Sequence, residues 1–337
     1  MPQDLDNYSI SILREIEYPL WDEFVADSPQ GSYFNTTQWA EILASVFKRK
    51  YQILVCYKNK QIVAGILFFV NKKFMFKMIT PVALYPYNGP IFYRPVDEKY
   101  QKTINNQLEI LKRIITFLKK HFTFFVLNTS FLLQDMRAFQ WAECSVEPIF
   151  NYIIDLEKNG NLSTRYNQSV RKKIRQAETL NPEIIESEDF NTLIDLYIAS
   201  YRRHKVKPLI SEKELFHFFK KAISLAQIRL FYVKLDGKIT SGRVIVIDKN
   251  TVYDLLAGGV DTRGLGATYL LNYILQNVAA GHKYFDFLGA AHEQVEQFKR
   301  GFGGDLLHGF RISSPAKFPI SNLVRIRFTS LKRRRIS

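Results

Sequence analysis

The amino-acid sequence predicts an α/β protein with mixed sheets, built from two similar halves. Its 337 residues exceed what one hydrophobic core usually serves, so two domains of about 150 residues are expected. Hydrophobic residues make up 47% of the chain and charged residues 23%, which is ordinary for a globular protein with a buried core. The third observation is an internal repeat, because the same order of elements occurs in both halves.

The repeat is clearest in two hairpin-like segments of equal length, residues 53–70 and 230–247. Each has two apolar runs around a polar pair, Asn59-Lys60 in the first and Asp236-Gly237 in the second. Asp-Gly is a strong signal for a two-residue hairpin turn, and Asn-Lys is a weaker one. In both copies an Ile shortly follows the turn, with a glycine three residues after it (Gly65 and Gly242).

Matching elements flank the two hairpins. Periodicity predicts a helix before each hairpin, and a strand, a helix and a further strand after it. In the first half these elements are 37–47, 84–93, 101–121 and 124–127, and in the second half they are 212–225, 252–260, 267–280 and 284–288.

This order of hairpin, strand, helix and strand resembles the N-acetyltransferase-like (GNAT) fold. We expect a first module over residues 1–157, completed by a returning segment at 310–337. A second module over residues 158–309 would carry the acyl-donor site. The break in apolar pattern at Lys158-Asn-Gly160 marks the link between them.

Composition excludes several classes of protein. Two cysteines, Cys56 and Cys144, cannot form a disulfide framework or a four-ligand zinc site by themselves. Cys56 lies in an apolar run, which favours a buried, unreactive thiol. The six histidines lack metal-ligand spacing, so no metal is expected. The start of the sequence is polar and acidic, and the longest apolar run, 62–70, is too short to span a bilayer. We therefore expect a cytoplasmic protein.

The net charge of +15 favours polyanionic partners such as nucleic acid, an anionic membrane surface or phosphate-bearing substrates. One basic segment lies between Lys158 and Pro182 and contains six basic residues but only one acidic residue. On a helix, Arg171 and Arg175 share one face and would grip phosphate or carboxylate groups. The alternative is a solvated basic helix without a ligand.

A glycine-containing turn after the strand at 252–260 is the candidate donor site. Backbone N–H groups at a helix start bind phosphate, and glycines let a pyrophosphate approach. We hypothesise that N–H groups near Val260 also polarise the acyl carbonyl. The alternative is a plain strand–helix turn. The cofactor-binding residues predicted here are Gly258, Gly259, Val260, Arg263, Gly264, Gly266 and Ala267.

A third segment joins the strand at 284–288 to a glycine-rich basic turn. Lys299 and Arg300, followed by Gly301, Gly303 and Gly304, supply cations and allow close backbone approach to an anion. Gly289, at the end of the strand, is a further candidate substrate contact. Asp286 lies inside the hydrophobic strand and needs a partner if buried. His292 and Glu293 are weaker candidates for a general base.

Taken in order, these segments resemble the Fem family of peptidoglycan cross-bridge aminoacyltransferases and the related BioF2-like acetyltransferases. The clearest pieces are Phe285-Asp-Phe-Leu-Gly289 and Phe298-Lys-Arg-Gly-Phe-Gly-Gly304. Further resembling pieces lie at 34–39, 135–141, 152–155 and 169–177. The resemblance implies two GNAT-like modules facing a central cleft. It also implies that Lys299 contacts substrate phosphate and that Tyr253 lines the cleft, which makes both candidate catalytic residues.

Two features depart from the family pattern. Fem enzymes that act on nucleotide-linked precursors tend to carry a Lys shortly after the position of Trp39, where this chain has Ile42, Leu43 and Ala44. The chain also has no room for the long helical arm of some members. Both departures weigh against a peptidoglycan precursor as the acceptor.

Three hypotheses of function follow. The favoured one is transfer of an acyl group from acyl-CoA, a co-substrate and not a resident cofactor, to an amine of a cell-envelope sugar or precursor. The second is an aminoacyl-tRNA-dependent cross-bridge transferase, with possible tRNA binding supported by the charge. The third is a non-catalytic protein that binds RNA or a membrane surface, with peripheral contact through the basic Lys332-Arg-Arg-Arg335.

Overall fold

The computed structural model describes residues 8–93, 99–158, 161–203, 205–289 and 293–315. These residues form two compact units. One runs to Ile149 and is rejoined by the chain at His308, and the other runs from Phe150 to Leu307. The sequence-predicted link at 158–160 lies largely outside the described residues. His292 and the basic segment at 332–335 also lie outside them.

The first unit combines a mixed sheet with one long helix and several short ones. Its elements in chain order are β1 (Tyr8–Ile12), α1 (Tyr18–Asp27), α2 (Thr37–Phe47), β2 (Lys50–Lys58), β3 (Gln61–Lys73), β4 (Phe76–Ile79), β5 (Ile91–Phe92), α3 (Tyr100–His121), β6 (Phe124–Asn128) and α4 (Arg137–Trp141). The strand β13 (Asp305–Ser313) pairs with β6 through its C-terminal residues.

The core of the first unit lies between the sheet and the apolar face of α3. Ile114 and Leu118 of α3 and Phe68 and Phe125 of the sheet are fully buried there. The residues of α2 at the expected Lys position, Ile42 and Leu43, are also buried. They serve packing, which explains why this helix carries no cation at that point.

The strand predicted over residues 84–93 is wrong for most of its length. Only Ile91–Phe92 pairs with β3, and the strand next to β3 is β4. Prolines at 81, 86 and 90 explain the difference, because a proline has no N–H to donate to a ladder. The segment is instead held by side chains, with the indole of Trp39 donating to the carbonyl of Leu84 at 3.1 Å.

The second unit begins within β7 (Ser145–Asp155) and contains parallel and antiparallel strand pairs. Its further elements are α5 (Gln168–Glu178), β8 (Glu183–Glu186), α6 (Phe190–Arg203), α7 (Glu212–Ala222), β9 (Ile228–Leu235), β10 (Lys238–Ile247), β11 (Thr251–Gly259), α8 (Leu265–Tyr273), β12 (Tyr284–Asp286) and α9 (Glu293–Arg300). The strand order is β7-β12-β11-β10-β9-β8. The predicted helix 267–280 is α8 followed by a π-helical turn at Ile274–Val278.

Both predicted hairpins are confirmed. β2 pairs with β3 and β9 pairs with β10 in antiparallel register. Both central residues of each turn have positive φ, at 52° and 67° for Asn59 and Lys60 and at 48° and 75° for Asp236 and Gly237. Such turns match the twist of the paired strands.

The matched glycines of the two hairpins each lie under an aromatic ring. A Cβ at Gly65 would lie 2.4 Å from the Trp21 ring, and one at Gly242 would lie 2.6 Å from the Tyr232 ring. Close approach, and not backbone conformation, is therefore what requires glycine in both copies.

We expect Gly65→Ala to lower the free energy of unfolding by about 1–3 kcal/mol, because the added methyl overpacks a filled core. Urea denaturation measures the change, with Ser9→Ala on the exposed side of β1 as the control. Equal stability of the Gly65→Ala variant and the control would contradict the assigned contact with Trp21.

Candidate active site

The candidate active site lies where two parallel strands separate. β11 and β12 pair from Thr251–Tyr284 to Tyr253–Asp286, where the ladder stops, although β11 continues to Gly259. A bulge at Leu255 interrupts the pairing of β11 with β10 directly after this point. Bulges often re-aim side chains next to active sites, and ligands of α/β sheets commonly bind beyond the carboxyl ends of parallel strands.

Lys299 of α9 reaches the carboxyl end of β12. Its Nζ donates to the carbonyl oxygens of Phe287 at 2.5 Å and Gly289 at 2.8 Å. Burial lowers the pKa of Lys299, while the carboxylates of Asp254 and Asp286 act in the opposite direction. Two of the three N–H donors of the ammonium are used by these carbonyls, which leaves one for a ligand.

Asp286 is fully buried and fixes the end of β12. Its Oδ1 accepts hydrogen bonds from Asn151 Nδ2 and from the backbone N–H of Leu288, the latter at 2.7 Å. Asn151 Oδ1 accepts the N–H of Gly289 at 2.7 Å. The amide of Asn151 therefore ties both sides of the bend after β12, where Gly289 has a φ of +103°.

A buried ion pair lies on the neighbouring strands. Arg243 of β10 donates from Nη1 to Asp254 Oδ2, and both side chains are only 4% exposed. Arg243 Nε and Asp254 Oδ1 are buried without a hydrogen-bond partner among the described residues. One donor and one acceptor are therefore left beside the point where the strands separate.

Arg243, Asp254 and Asn151 were missed by sequence reasoning. A signal for the first two was present, because each is a charge inside an apolar strand and the signs are opposite. Their pairing depends on strand register and on the bulge at Leu255, neither of which is visible in the sequence.

The predicted donor turn does lead into α8, but several of its N–H groups are already used. Asp261 Oδ2 accepts from the N–H groups of Leu265 at 2.6 Å and Gly266 at 3.2 Å, and Oδ1 accepts from that of Arg263 at 2.9 Å. Burial raises the pKa of Asp261, but these hydrogen bonds and the charge of Arg263 outweigh it, so the pKa is lowered overall.

The hypothesis that N–H groups near Val260 polarise the acyl carbonyl stays a prediction, but two of these groups already have partners. The N–H of Val260 donates to the carbonyl of Thr240 at 3.0 Å, and that of Gly259 donates to Ser200 Oγ at 2.9 Å. Both N–H groups thus serve contacts of β11 with its neighbours. The Val260 side chain itself is exposed.

Two of the predicted glycines are explained by packing. A Cβ at Gly258 would lie 2.4 Å from the backbone N of Tyr197 in α6, and one at Gly266 would lie 2.2 Å from Thr240 Oγ1. Gly264 precedes α8 with a φ of +68°, and a Cβ there would lie 3.5 Å from Lys173 Nζ. The α5 residue placed at the turn is therefore Lys173.

The remaining predicted site residues are spread over the second unit. Arg171 and Arg175 are exposed on α5, as is Arg263 before α8, and Ala267 is half-buried in the first turn of α8. Arg300 Nε lies 3.0 Å from Glu296 Oε1, which also accepts a hydrogen bond from Tyr152. The Tyr253 side chain is only 6% exposed. The structure thus groups Lys299 with Gly289 and groups residues 263–266 with one another.

Cys56 is buried, as predicted, and Cys144 is buried as well. Burial raises the pKa of Cys56 to about 12 and also raises that of Cys144. Across the described residues, His, Cys, Asp and Glu form no group suited to a metal ion. None of the described helices has the length and apolar character needed to cross a membrane.

Comparison with known proteins identifies the class. Residues 164–300 match the family model of the acetyltransferase (GNAT) domain. This part of the chain is similar to GNAT domains, and the protein is an acyltransferase. No curated protein is significantly similar to the chain in sequence.

Solved structures define the fold of the whole chain. FemX is 12% identical with a TM-score of 0.70, covering 93% of this chain and 99% of FemX. L-PGS from Bacillus licheniformis is 11% identical with a TM-score of 0.57, covering 95% and 98%. A protein of unknown function from Bacteroides thetaiotaomicron is 15% identical with a TM-score of 0.56, covering 91% and 99%. The Fem-like resemblance is confirmed at the level of the fold.

We expect Gly266→Ala to lower the free energy of unfolding by about 1–3 kcal/mol, because its methyl meets the hydroxyl of Thr240. The same substitution in a Thr240→Ala background should cost less, since the hydroxyl is gone. A double-mutant cycle in urea measures this coupling. Purely additive effects would contradict the contact and leave Gly266 open to a ligand role.

The buried pair provides a second stability test. Asp254→Ala leaves Arg243 buried without its counter-charge, and we expect a loss of about 3–5 kcal/mol. Adding Arg243→Met should recover much of that loss, because no uncompensated charge remains. Chemical denaturation of both single variants and the double variant measures the effect. A double variant no more stable than Asp254→Ala alone would exclude the pair as a coupled unit.

Proposed function

We propose that the second unit transfers an acyl group from an activated donor to an amine at the carboxyl ends of β11 and β12. The observation that carries the proposal is the Lys299 ammonium, held by two carbonyls where these strands separate. We further propose that the chain consists of two GNAT-like modules, residues 1–157 with the returning segment 310–337 and residues 158–309.

The reaction requires little covalent work from the protein. The amine nitrogen attacks the acyl carbon, the C–N bond forms, and the C–O or C–S bond to the carrier breaks. The carrier leaves with the electron pair, and the proton of the amine passes to solvent or carrier. Positioning and stabilisation of the developing oxyanion supply most of the rate. The remaining N–H donor of Lys299 is the group suited to that oxyanion.

The family resemblance implies that Tyr253 lines the cleft as a candidate catalytic residue, but this proposal gives it a positioning role. Its side chain is buried, and its backbone forms the last ladder pair with Asp286. We therefore assign it to positioning the strand end. Gly289, whose carbonyl accepts from Lys299, shapes the same end from β12.

Acyl-CoA is the donor that a GNAT domain ordinarily uses, and it is our first candidate. The second candidate is aminoacyl-tRNA, favoured by the net charge of +15 and by the carboxylate of Asp261 at the start of α8. Both donors are cytoplasmic, and we place the reaction there. The acceptor we propose is an amine of a cell-envelope sugar or precursor, with peripheral membrane contact through the basic residues near Lys332.

Thermal denaturation with coenzyme A, acetyl-CoA and charged tRNA at two salt concentrations separates these candidates. A ligand that binds the native state raises the melting temperature by mass action. Saturable stabilisation by acetyl-CoA, with transfer to an amine, supports the first donor. Stabilisation by charged tRNA alone, again with transfer, supports the second. Salt-sensitive binding of any polyanion without transfer would instead support a non-catalytic polyanion-binding protein.

Lys299→Met should lower kcat by about 100-fold, in the range seen when one oxyanion donor is removed. Donor binding should change less, because the ammonium acts on charge that develops during the reaction. Steady-state kinetics, with whichever donor the thermal denaturation experiment supports, measure the effects on kcat and on KM separately. Lys238→Met in the exposed start of β10 is the control. A folded Lys299→Met variant with the kcat of the control would exclude the assigned role.

A further inference from the structure

The turn before α8 has the features of an anion site, and the anion bound there is the carboxylate of Asp261. We propose that Asp261 is a donor-specificity residue that occupies the start of α8 and excludes the pyrophosphate of coenzyme A from it. The proposal deepens the proposed function, because it rests on this turn belonging to the donor side of the site. It concerns binding and can be tested without turnover.

The N–H groups of residues 263 to 266 are all bonded to Asp261. Asp261 accepts from the N–H groups of Arg263, Leu265 and Gly266 through its side chain. Its backbone carbonyl accepts from the N–H of Gly264 at 3.2 Å, and the N–H of Thr268 is bonded to the carbonyl of Gly264 at 3.1 Å. A phosphate oxygen could reach these N–H groups only by displacing the carboxylate.

The surrounding charges independently indicate an anion site. Arg263 Nε lies 4.0 Å from Asp261 Oδ1, and Lys173 Nζ lies beside Gly264. Free N–H groups at a helix start and nearby cations together favour negative charge. Cations and N–H groups therefore converge on one position, and Asp261 fills it with a side chain that is 12% exposed.

The carboxylate is a strong competitor because it is tethered and charged. A carboxylate four residues before the first residue of the helix meets the N–H groups at an effective concentration that a free ligand does not reach. The lowered pKa of Asp261 keeps the competitor ionised at neutral pH, so protonation does not release the site. A pyrophosphate would also meet like-charge repulsion from it. A donor whose carrier is recognised elsewhere meets neither obstacle.

Isothermal titration with coenzyme A tests the proposal on the full chain. Asp261→Asn keeps an oxygen acceptor for the helix but removes the charge, and Asp261→Ser keeps a capping hydroxyl. We expect both variants to bind coenzyme A at least about tenfold more tightly than the parent, because the competing charge at the helix start is removed. Pantetheine, which lacks the pyrophosphate, should bind the parent and both variants equally. Asp236→Asn, in the exposed turn between β9 and β10, controls for the change in net charge.

Three outcomes would overturn the proposal. One is a parent protein that binds coenzyme A as tightly as Asp261→Asn, and another is an equal gain in Asp236→Asn. The third is a gain that pantetheine shares, since it would not depend on the pyrophosphate. Melting curves of each variant establish that the compared proteins are folded. Absence of acyl transfer with every donor would refute the proposed function but would not alter these affinities, so the two failures are distinguishable.

Discussion

The end of the ladder between β11 and β12 is the constraint on which the site depends. Up to Tyr253 and Asp286 the two strands hold each other through backbone hydrogen bonds. Beyond that point β12 turns away, and its backbone groups are satisfied by side chains, namely the amide of Asn151 and the ammonium of Lys299. Buried backbone groups need such partners. The separation of the strands is therefore stable only while those polar groups are present, which links the shape of the site to its chemistry.

The second unit holds an unusual concentration of buried charge for a hydrophobic sheet. Asp254 and Asp286 lie beside Arg243 and Lys299, and the pair Arg243–Asp254 retains one unpartnered donor and one unpartnered acceptor. Apolar residues of similar size would give comparable or greater stability at such a position. Local conflicts of this kind are expected at functional sites. The cluster is therefore consistent with the proposal that acyl transfer takes place at the strand ends.

Much of the fold was predictable from the sequence, because hairpins and amphipathic helices are local patterns. The turn at Asp236-Gly237 and the helix over 37–47 needed no knowledge of the rest of the chain. The strand predicted at 84–93 was wrong for most of its length because two prolines, Pro86 and Pro90, lie among its apolar residues. The ion pair of Arg243 and Asp254 required strand register. The role of Asp261 depended on where α8 begins, at Leu265, and the boundaries of elements are the least predictable part of a sequence analysis.

The ends of β11 and β12 and the turn before α8 differ in how many of their hydrogen-bond donors already have a partner within the protein. At the strand ends Lys299 uses two of its three N–H donors on backbone carbonyls, whereas the N–H groups of residues 263 to 266 are all bonded to Asp261. We therefore expect the reacting carbonyl to bind at the strand ends, and a pyrophosphate to compete with Asp261 at the turn. We expect the exposed cations Arg171, Arg175 and Arg263 to contribute to binding of the carrier. Exposed cations bind phosphates through screened charge, so the grip on the carrier should weaken with salt much more than the transfer step itself.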